Sequence, residues 1–185
     1  MAISSAQILS AVNEYLERYP DERESLAEPL RLLNDRADVD FTSRRNFQFH
    51  VTIGALLVRG EAEVLLVDHL AYGIPLQPGG HLEPTDTTLV DAAVRELTEE
   101  TGIDADTVVC VSPVPVYIEY GHVPARPKKN EPEHFHFDLG FAFATVDGDV
   151  GRIQESEVSG AGWYPLAEAE RLVGRRIGRA VPSAA

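Results

Sequence analysis

One stretch of the sequence, residues 79–103, restricts the fold more than any other. It begins with Gly79-Gly80, passes through a short acidic loop into an amphipathic segment, and ends at Gly102. Paired glycines after a proline favour a sharp turn, and glycine readily takes the positive φ that ends a helix. Apolar residues between them recur at helical spacing: Leu89, Val90, Ala93, Val94 and Leu97. The stretch therefore predicts a helix over 87–98 whose apolar face packs on a sheet.

The same helix carries three carboxylates, Glu96, Glu99 and Glu100, with Arg95 beside them. At helical spacing the three lie within an arc of about 100°, where like charges destabilise a helix. Converging oxygen ligands without thiols suit Mg²⁺ or Mn²⁺. Such an ion bridges phosphate oxygens and lowers the pKa of a bound water. The alternative is a solvent-facing acidic surface, which most charge runs are.

Taken together, the glycines, arginine and glutamates resemble the Nudix box. The matching positions are Gly80, Arg95, Glu96, Leu97, Glu99, Glu100, Gly102 and Ile103. Two departures concern the acid after the first glycine: it is Asp86 instead of glutamate, and eight residues instead of seven separate it from Arg95. An insertion ahead of the helix leaves the register from Arg95 onward intact. It therefore affects the role of Asp86 more than that of the glutamates.

The resemblance implies an α/β fold, a Nudix-like α/β/α sandwich around a mixed β-sheet. It also implies hydrolysis of a diphosphate linkage in a small-molecule nucleoside diphosphate derivative. In that family the glutamates matching Glu96, Glu99 and Glu100 hold divalent metal ions, Mg²⁺ or Mn²⁺. The arginine matching Arg95 orients them, and the backbone carbonyl matching that of Gly79 is often a further ligand. Arg95, Glu96 and Glu99 are accordingly expected to be catalytic.

Charge and composition exclude other classes of function. The 185 residues include 16 Lys and Arg against 30 Asp and Glu, a net charge of −14 that argues against a nucleic-acid partner. Without a signal-peptide pattern or a long apolar run, we expect a cytoplasmic protein with no membrane partner. The lone Cys110, in an apolar run, is expected to be a buried core thiol.

Three segments are expected along the chain: an N-terminal helical extension (1–36), a Nudix-like hydrolase domain (37–175) and a frayed C-terminal tail (176–185). Ser4 and Gln7 form a possible capping box, and Pro20-Asp21 separates two helices. This helix pair either covers a sheet edge or forms a homodimer contact. Packing on the sheet is favoured, because an amphipathic helix needs only a partner surface.

Candidates for substrate binding lie outside the box. Arg44 and Arg45 lie in a polar linker, residues 36–46, and Arg126 lies with Lys128 and Lys129 in a basic loop. The Arg44-Arg45 pair either contacts a substrate phosphate or belongs to a solvated loop, and the same two roles are open for the three cations of the basic loop. The basic loop is also a candidate for a mobile lid.

Residues 134–145 predict a strand with one aromatic, core-facing side and one side carrying His134, His136 and Asp138. This polar face has three possible roles: metal ligation, contact with substrate, or structural hydrogen bonding. The small residues further along it suggest close cover by another element, such as the box helix. His50 and His69, near other strand ends, are expected to be hydrogen-bonded structural groups.

An acidic loop at residues 155–157 precedes a strand that contains Trp163 and a short helix that Pro165 opens. This order resembles the C-terminal part of the Nudix core, where a glutamate of several members acts as general base on the attacking water. Glu157 is the candidate and Glu155 the alternative. Two other functions on the same fold stay open: a ligand sensor without turnover, and an isomerase, for which Cys110 is a poor catalytic cysteine.

Overall fold

The structure, a computed structural model, describes residues 2–36, 39–60, 62–127, 130–146 and 148–181. Over these residues the chain forms an eight-stranded mixed sheet with helices packed against it. The strands are β1 (Phe49–Arg59), β2 (Glu63–His69), β3 (Ile74–Leu76), β4 (Gly79–His81), β5 (Val109–Cys110), β6 (Tyr117–Val123), β7 (His134–Thr145) and β8 (Val158–Pro165). The helices are α1 (Ser5–Arg18), α2 (Ala27–Asp35), α3 (Leu89–Thr101) and α4 (Leu166–Val173), with 3₁₀ turns at Pro20–Glu22, Ala105–Thr107 and Arg175–Ala180. None of the described helices is long and apolar enough to cross a bilayer.

The centre of the sheet is the parallel pair β1 and β7, and the strand order is β3-β2-β1-β7-β5. β4 also pairs with β1, β6 with β7 and β8 with β2, all antiparallel. β1 is buried from residue 49 to 58, as expected for a central strand covered on both faces. Its register places His50 beside His136 and Thr52 beside Asp138. The polar face predicted for β7 is therefore continuous with polar residues of β1.

Different elements pack against the two faces of the β1–β7 pair. The aromatic face of β7 lies in the main core together with apolar residues of α1 and α3. The opposite face is closely covered, as expected, but α3, the element suggested as its cover, does not cover it. Instead the Tyr117 ring lies so close to Gly140 that any Cβ there would overlap it. Beyond it, Ala142 packs with α4 and the last 3₁₀ turn.

The two N-terminal helices pack on the main core, which agrees with the packing interpretation. Ser4 caps α1, and the predicted capping box with Gln7 is present. Ile8, Val12 and Leu16 are fully or almost fully buried in the core.

The expectation of a frayed tail is wrong for residues 176–181. Arg175–Ala180 is a 3₁₀ helix that buries Ile177. Arg179 donates hydrogen bonds to Glu22 at 2.7 Å and to the Tyr15 hydroxyl at 2.9 Å. These contacts join the two ends of the described chain; residues 182–185 of the predicted tail lie outside it.

Cys110 is exposed, so the prediction of a buried core thiol is wrong. It lies in the two-residue strand β5 at the end of the strand order, and the neighbouring Val109 is 64% exposed. Pro113 and Pro115 follow at once, and proline cannot donate to a strand ladder. The apolar run at 108–111 therefore forms a short edge strand and not a core strand.

Candidate functional site

The glycine pair does not form the predicted sharp turn. Gly79 and Gly80 lie in β4, antiparallel to β1, and neither has a positive φ. Glycine is required there because of close approach: a Cβ on Gly79 would overlap the Ile53 carbonyl oxygen, and one on Gly80 would lie 2.6 Å from Glu96 Oε2. The glycines therefore let β4 lie tightly between β1 and α3.

The box helix is confirmed as α3, which Thr88 caps by accepting a hydrogen bond from the Asp91 N–H at 3.0 Å. It ends at Gly102 with φ of 67°, as predicted. The buried side includes Leu97 together with Glu96 and Glu100, and Glu100 is 0% exposed. Two of the three glutamates are thus held against the sheet, and the interpretation of a solvent-facing acidic surface is wrong for them.

Arg95 holds the acidic group in place. Its Nη1 donates to Glu96 and Glu99, both at 3.1 Å, and its Nη2 donates to the His81 carbonyl at 2.9 Å. The other side of the guanidinium binds Asp86 through two contacts, Nε to Oδ1 at 2.9 Å and Nη2 to Oδ2 at 3.0 Å. Such forked pairing adds both energy and a fixed geometry. Asp86 therefore anchors Arg95 in spite of the inserted residue.

Glu100 lies deepest in this acidic cluster, which we define as Glu96, Glu99 and Glu100. Its Oε2 accepts a hydrogen bond from the Gly79 N–H at 3.0 Å, whereas its buried Oε1 has no partner among the described residues. Burial raises the pKa of Glu96 to about 7 and that of Glu100 to about 8, and the neighbouring carboxylates add to both effects. Two of three converging carboxylates are thus costly to ionise without a cation.

These residues fit a hard divalent cation. The cluster offers oxygen ligands from three side chains, one of which leaves a buried oxygen unsatisfied, and Mg²⁺ and Mn²⁺ take such ligands. Gly79 meets the cluster through its N–H group. The role predicted for its carbonyl stays a prediction.

A cavity of about 590 Å³ opens beside the acidic cluster. Strands β1, β4, β6 and β7 line it, together with the segment after β2 and with Glu157. It borders the cluster through Gly79, Gly80 and Glu157 and not through the α3 glutamates themselves. Glu157 lies close enough to raise the pKa values of Glu96 and Glu100. Of the two predicted candidates for the general base, Glu157 and not Glu155 therefore lines the cavity.

Not all of the predicted cationic residues lie at the cavity. Arg44 and Arg126 line the cavity, where Arg44 donates to Glu131 at 3.2 Å and Arg126 stacks on the Tyr72 ring at 4.9 Å. Arg45 is exposed and does not line the cavity, so its position does not support the predicted contact with substrate. Lys128 and Lys129 lie outside the described residues.

The residues on the polar face of β7 also fit different roles. Asp138 accepts hydrogen bonds from Thr52 at 2.9 Å and from Tyr117 at 2.7 Å. Burial raises its pKa, which fits the structural role. His134 and His136 line the cavity, as does Asp138, and the position of the two histidines fits the substrate-contact role.

Two further histidines join this pair, and we call His50, His81, His134 and His136 the histidine cluster. Neighbouring ring centroids in the cluster lie 4.8–5.5 Å apart. Burial lowers the pKa of His50, and it lowers those of His81 and His136 to about 3. These three imidazoles are therefore neutral at pH 7. His69, outside the cluster, accepts a hydrogen bond from the Ala71 N–H at 3.1 Å, as expected for a structural group.

Three residues of this region have roles that the sequence did not predict. Asp86 departs from the box spacing, although its distance from Arg95 is compatible with the observed pairing. His81 directly follows the glycine pair, but nothing in the sequence indicates what it meets. His50 shares a strand face with Thr52, and that alternation was the one available signal.

Comparison with known proteins places the chain among named relatives. A family model, the NUDIX domain, matches residues 48–182. Phosphatase NudJ of Escherichia coli K12 is 52% identical over 61 residues, which are 32% of this chain and 39% of NudJ. The match thus spans well under half of that relative's length.

Two solved structures share the fold. An Ap4A hydrolase of C. elegans, solved as a binary complex, has a TM-score of 0.52 at 18% identity over 70% of this chain and 93% of that one. A NUDIX family hydrolase from Clostridium perfringens has a TM-score of 0.52 at 21% identity, over 74% and 93%. At these identities the likeness concerns the fold alone, and it confirms the predicted mixed sheet with flanking helices.

Proposed function

The chain belongs to the Nudix family, and from that premise we propose that it is a divalent-metal-dependent pyrophosphohydrolase. Its proposed substrate is a nucleoside diphosphate derivative, in which it cleaves the diphosphate linkage. The observation that carries this proposal is Glu100: a fully buried carboxylate with an unpartnered oxygen, converging with Glu96 and Glu99 beside a cavity. A protein that only bound a ligand would have little reason to bury mutually repelling acids.

Glu96, Glu99 and Glu100 are the proposed ligands of Mg²⁺ or Mn²⁺. When bound, such an ion neutralises phosphate charge and lowers the pKa of a coordinated water. Arg95 keeps Glu96 and Glu99 oriented, because one of its nitrogens donates to both. Asp86 fixes Arg95 in turn through the forked pair. The acidic cluster is therefore preorganised by this chain's own hydrogen bonds.

The cavity supplies the proposed positions of the substrate groups. Glu157 is placed on the cavity wall near Glu96 and Glu100, where it would accept the proton of the attacking water. Arg44 and Arg126, on another part of the wall, would contact phosphate oxygens. The volume of about 590 Å³ is within the range of small-molecule sites. The name of the relative NudJ, a phosphatase, supports the hydrolytic class of reaction.

The test is turnover of a substrate panel by the wild type and by Glu99→Gln. Nucleoside triphosphates, ADP-ribose, dinucleoside polyphosphates and sugar nucleotides are each incubated with Mg²⁺ or Mn²⁺. We expect hydrolysis of one class, reduced at least about 100-fold in the variant, because a ligand of the reacting centre is lost. Glu99 suits the test because its side chain is 46% exposed, so the substitution spares the core.

The matched control is Glu83→Gln, which removes an exposed carboxylate from the loop before α3. We expect it to keep wild-type turnover. Binding of a panel member without hydrolysis, with an affinity unchanged in Glu99→Gln, would overturn the proposal and favour the ligand sensor.

A further inference from the structure

The histidine cluster gathers ligand-capable nitrogens that the proposed hydrolysis does not use. Each of His50, His81 and His136 offers a ring nitrogen, and these three atoms all lie within 4.8 Å of one another. The residues come from three different strands, β1, β4 and β7. Their convergence is thus a product of the sheet and not of local sequence.

His50 is oriented as a ligand would be. Its Nδ1 lies 3.1 Å from the Asn46 carbonyl oxygen, an acceptor, so Nδ1 carries the proton and donates. Its Nε2 then has a free lone pair, and this buried atom has no partner among the described residues; the residue as a whole is 2% exposed. A ring N–H donated to a backbone carbonyl is the usual support of a metal-bound histidine.

The neighbouring pair fixes a second ligand atom. His134 Nδ1 lies 2.8 Å from the Pro132 carbonyl oxygen, so it is the donor and His134 Nε2 is an acceptor. His136 Nε2 lies 3.2 Å from that acceptor and therefore carries its own proton. The remaining nitrogen of His136, Nδ1, keeps a free lone pair. A chain of two hydrogen bonds thus orients His136 from outside the three-residue group.

We propose that His50, His81 and His136 bind a borderline transition-metal ion of the Zn²⁺ class, at a site separate from the acidic cluster. Neutral imidazole suits Zn²⁺, Co²⁺ and Ni²⁺, whereas Mg²⁺ and Mn²⁺ prefer the oxygens of the glutamates. Tetrahedral Zn²⁺ with bonds of about 2.0–2.1 Å holds its nitrogens roughly 3.3 Å apart. The three atoms lie within 4.8 Å of one another, so binding the ion would require them to move closer by up to about 1.5 Å.

Three protein ligands leave a tetrahedral ion with one position for water or a ligand group. All three histidines line the cavity, so this position opens into it. Arg44 and Arg126 line the same cavity, and with the ion they would form a wall that attracts anions. The site therefore selects an anionic group of whatever molecule occupies the cavity.

The test is binding of Zn²⁺ to the full chain after chelator treatment, with Mg²⁺ in excess so that the acidic cluster is occupied. Calorimetry should show one tight equivalent of Zn²⁺, and Co²⁺ should give the visible absorption of a nitrogen-ligated ion. His136→Ala and His81→Ala should each weaken binding at least about tenfold. His122→Ala is the matched control: this histidine lies on β6 with its side chain 49% exposed, and its removal should leave the affinity unchanged. Far-ultraviolet circular dichroism checks that each variant folds.

Glu99→Gln separates the two metal sites and should retain the Zn²⁺ equivalent. Loss of that equivalent in Glu99→Gln with retention in His136→Ala would place the ion at the glutamates and overturn the proposal. So would the absence of any tight equivalent in the wild type. None of these measurements depends on turnover, so they decide the question whether or not hydrolysis is found.

Discussion

Two clusters of potential ligands lie on either side of β4, and they are built in opposite ways. The acidic cluster lies within five consecutive residues of α3 and consists of carboxyl groups, which become negatively charged on ionisation. The Arg95 guanidinium holds it in place. The histidine cluster comes from three strands, is largely neutral, and is held by backbone carbonyls of Asn46 and Pro132. Helical spacing brings the first together, and sheet register the second.

The difference has an energetic meaning. Buried carboxylates repel one another, and a bound cation stabilises them. In the metal-free protein the acidic cluster therefore lowers the free energy of unfolding. Buried neutral imidazoles carry no such repulsion and cost mainly the hydrogen bonds that they lack. The two clusters should therefore respond in opposite directions to pH.

Opposite pH dependence is the largest expected effect. The folded-state pKa values of Glu96 and Glu100, about 7 and 8, lie above the ordinary 4.5, so the unfolded chain binds fewer protons between these limits. The free energy of unfolding should then fall as pH rises toward about 8. His81 and His136, with pKa values of about 3 against 6.5, should lower it as pH falls below about 6.5. A pKa that differs by one between the folded and unfolded chain corresponds to about 1.4 kcal/mol.

Urea unfolding of the metal-free protein across this pH range measures both slopes. Between about pH 4.5 and 6.5 the two contributions oppose each other, and stability should change little. Glu100→Gln should remove much of the alkaline loss, and His136→Gln part of the acid loss. Mg²⁺ should restore stability at the alkaline end, because it binds the ionised carboxylates. A wild-type profile that stays flat on the alkaline side would contradict the burial of the acidic cluster.

The second-largest expected effect is the loss of stability and metal affinity on removal of the Asp86 carboxylate. Asp86→Ala leaves the largely buried Arg95 guanidinium without its forked partner, which costs about 3 kcal/mol where a buried pair is broken. Loss of such a support typically weakens metal affinity or activity by about 10- to 100-fold. Chemical unfolding and a Mn²⁺ titration measure the two effects. Glu83→Ala is the control, since Glu83 contacts Asp86 through its backbone N–H; equal losses in the two variants would contradict the role of Asp86.

The smallest expected effect separates the two glycines of β4. Gly79→Ala presses a methyl group onto the Ile53 carbonyl, which is part of the rigid sheet, and should destabilise the fold by about 1–3 kcal/mol. Gly80→Ala meets only the end of the Glu96 side chain, which can rotate away. It should therefore cost less stability and instead weaken Mn²⁺ binding. Thermal melts and Mn²⁺ titrations of the two variants distinguish these outcomes; the reverse pattern would mean that Glu96 is fixed more firmly than the strand.

The two clusters also differ in how far the sequence predicts them. Glu96, Glu99 and Glu100 share one helix, and their convergence follows from 3.6 residues per turn and the glycine that ends α3. His50 and His136 meet only because β1 pairs with β7, and no local pattern encodes which strands pair. The strand alternation of β7 was predictable, but its covering element was not. The positions of Cys110 and of residues 176–181 depended on neighbours far along the chain, and both predictions were wrong.

The pairing of β1 with β7 also has a consequence for synthesis of the protein. Phe49 is paired with Phe135, which is 86 positions later in the chain. At roughly 5–20 residues per second, the ribosome takes roughly 4–17 s to supply the partner strand. Throughout that interval β1, which the finished fold buries over almost its whole length, has an open edge to which another nascent chain can add. The delay makes β1 a segment that chaperones would need to shield during synthesis.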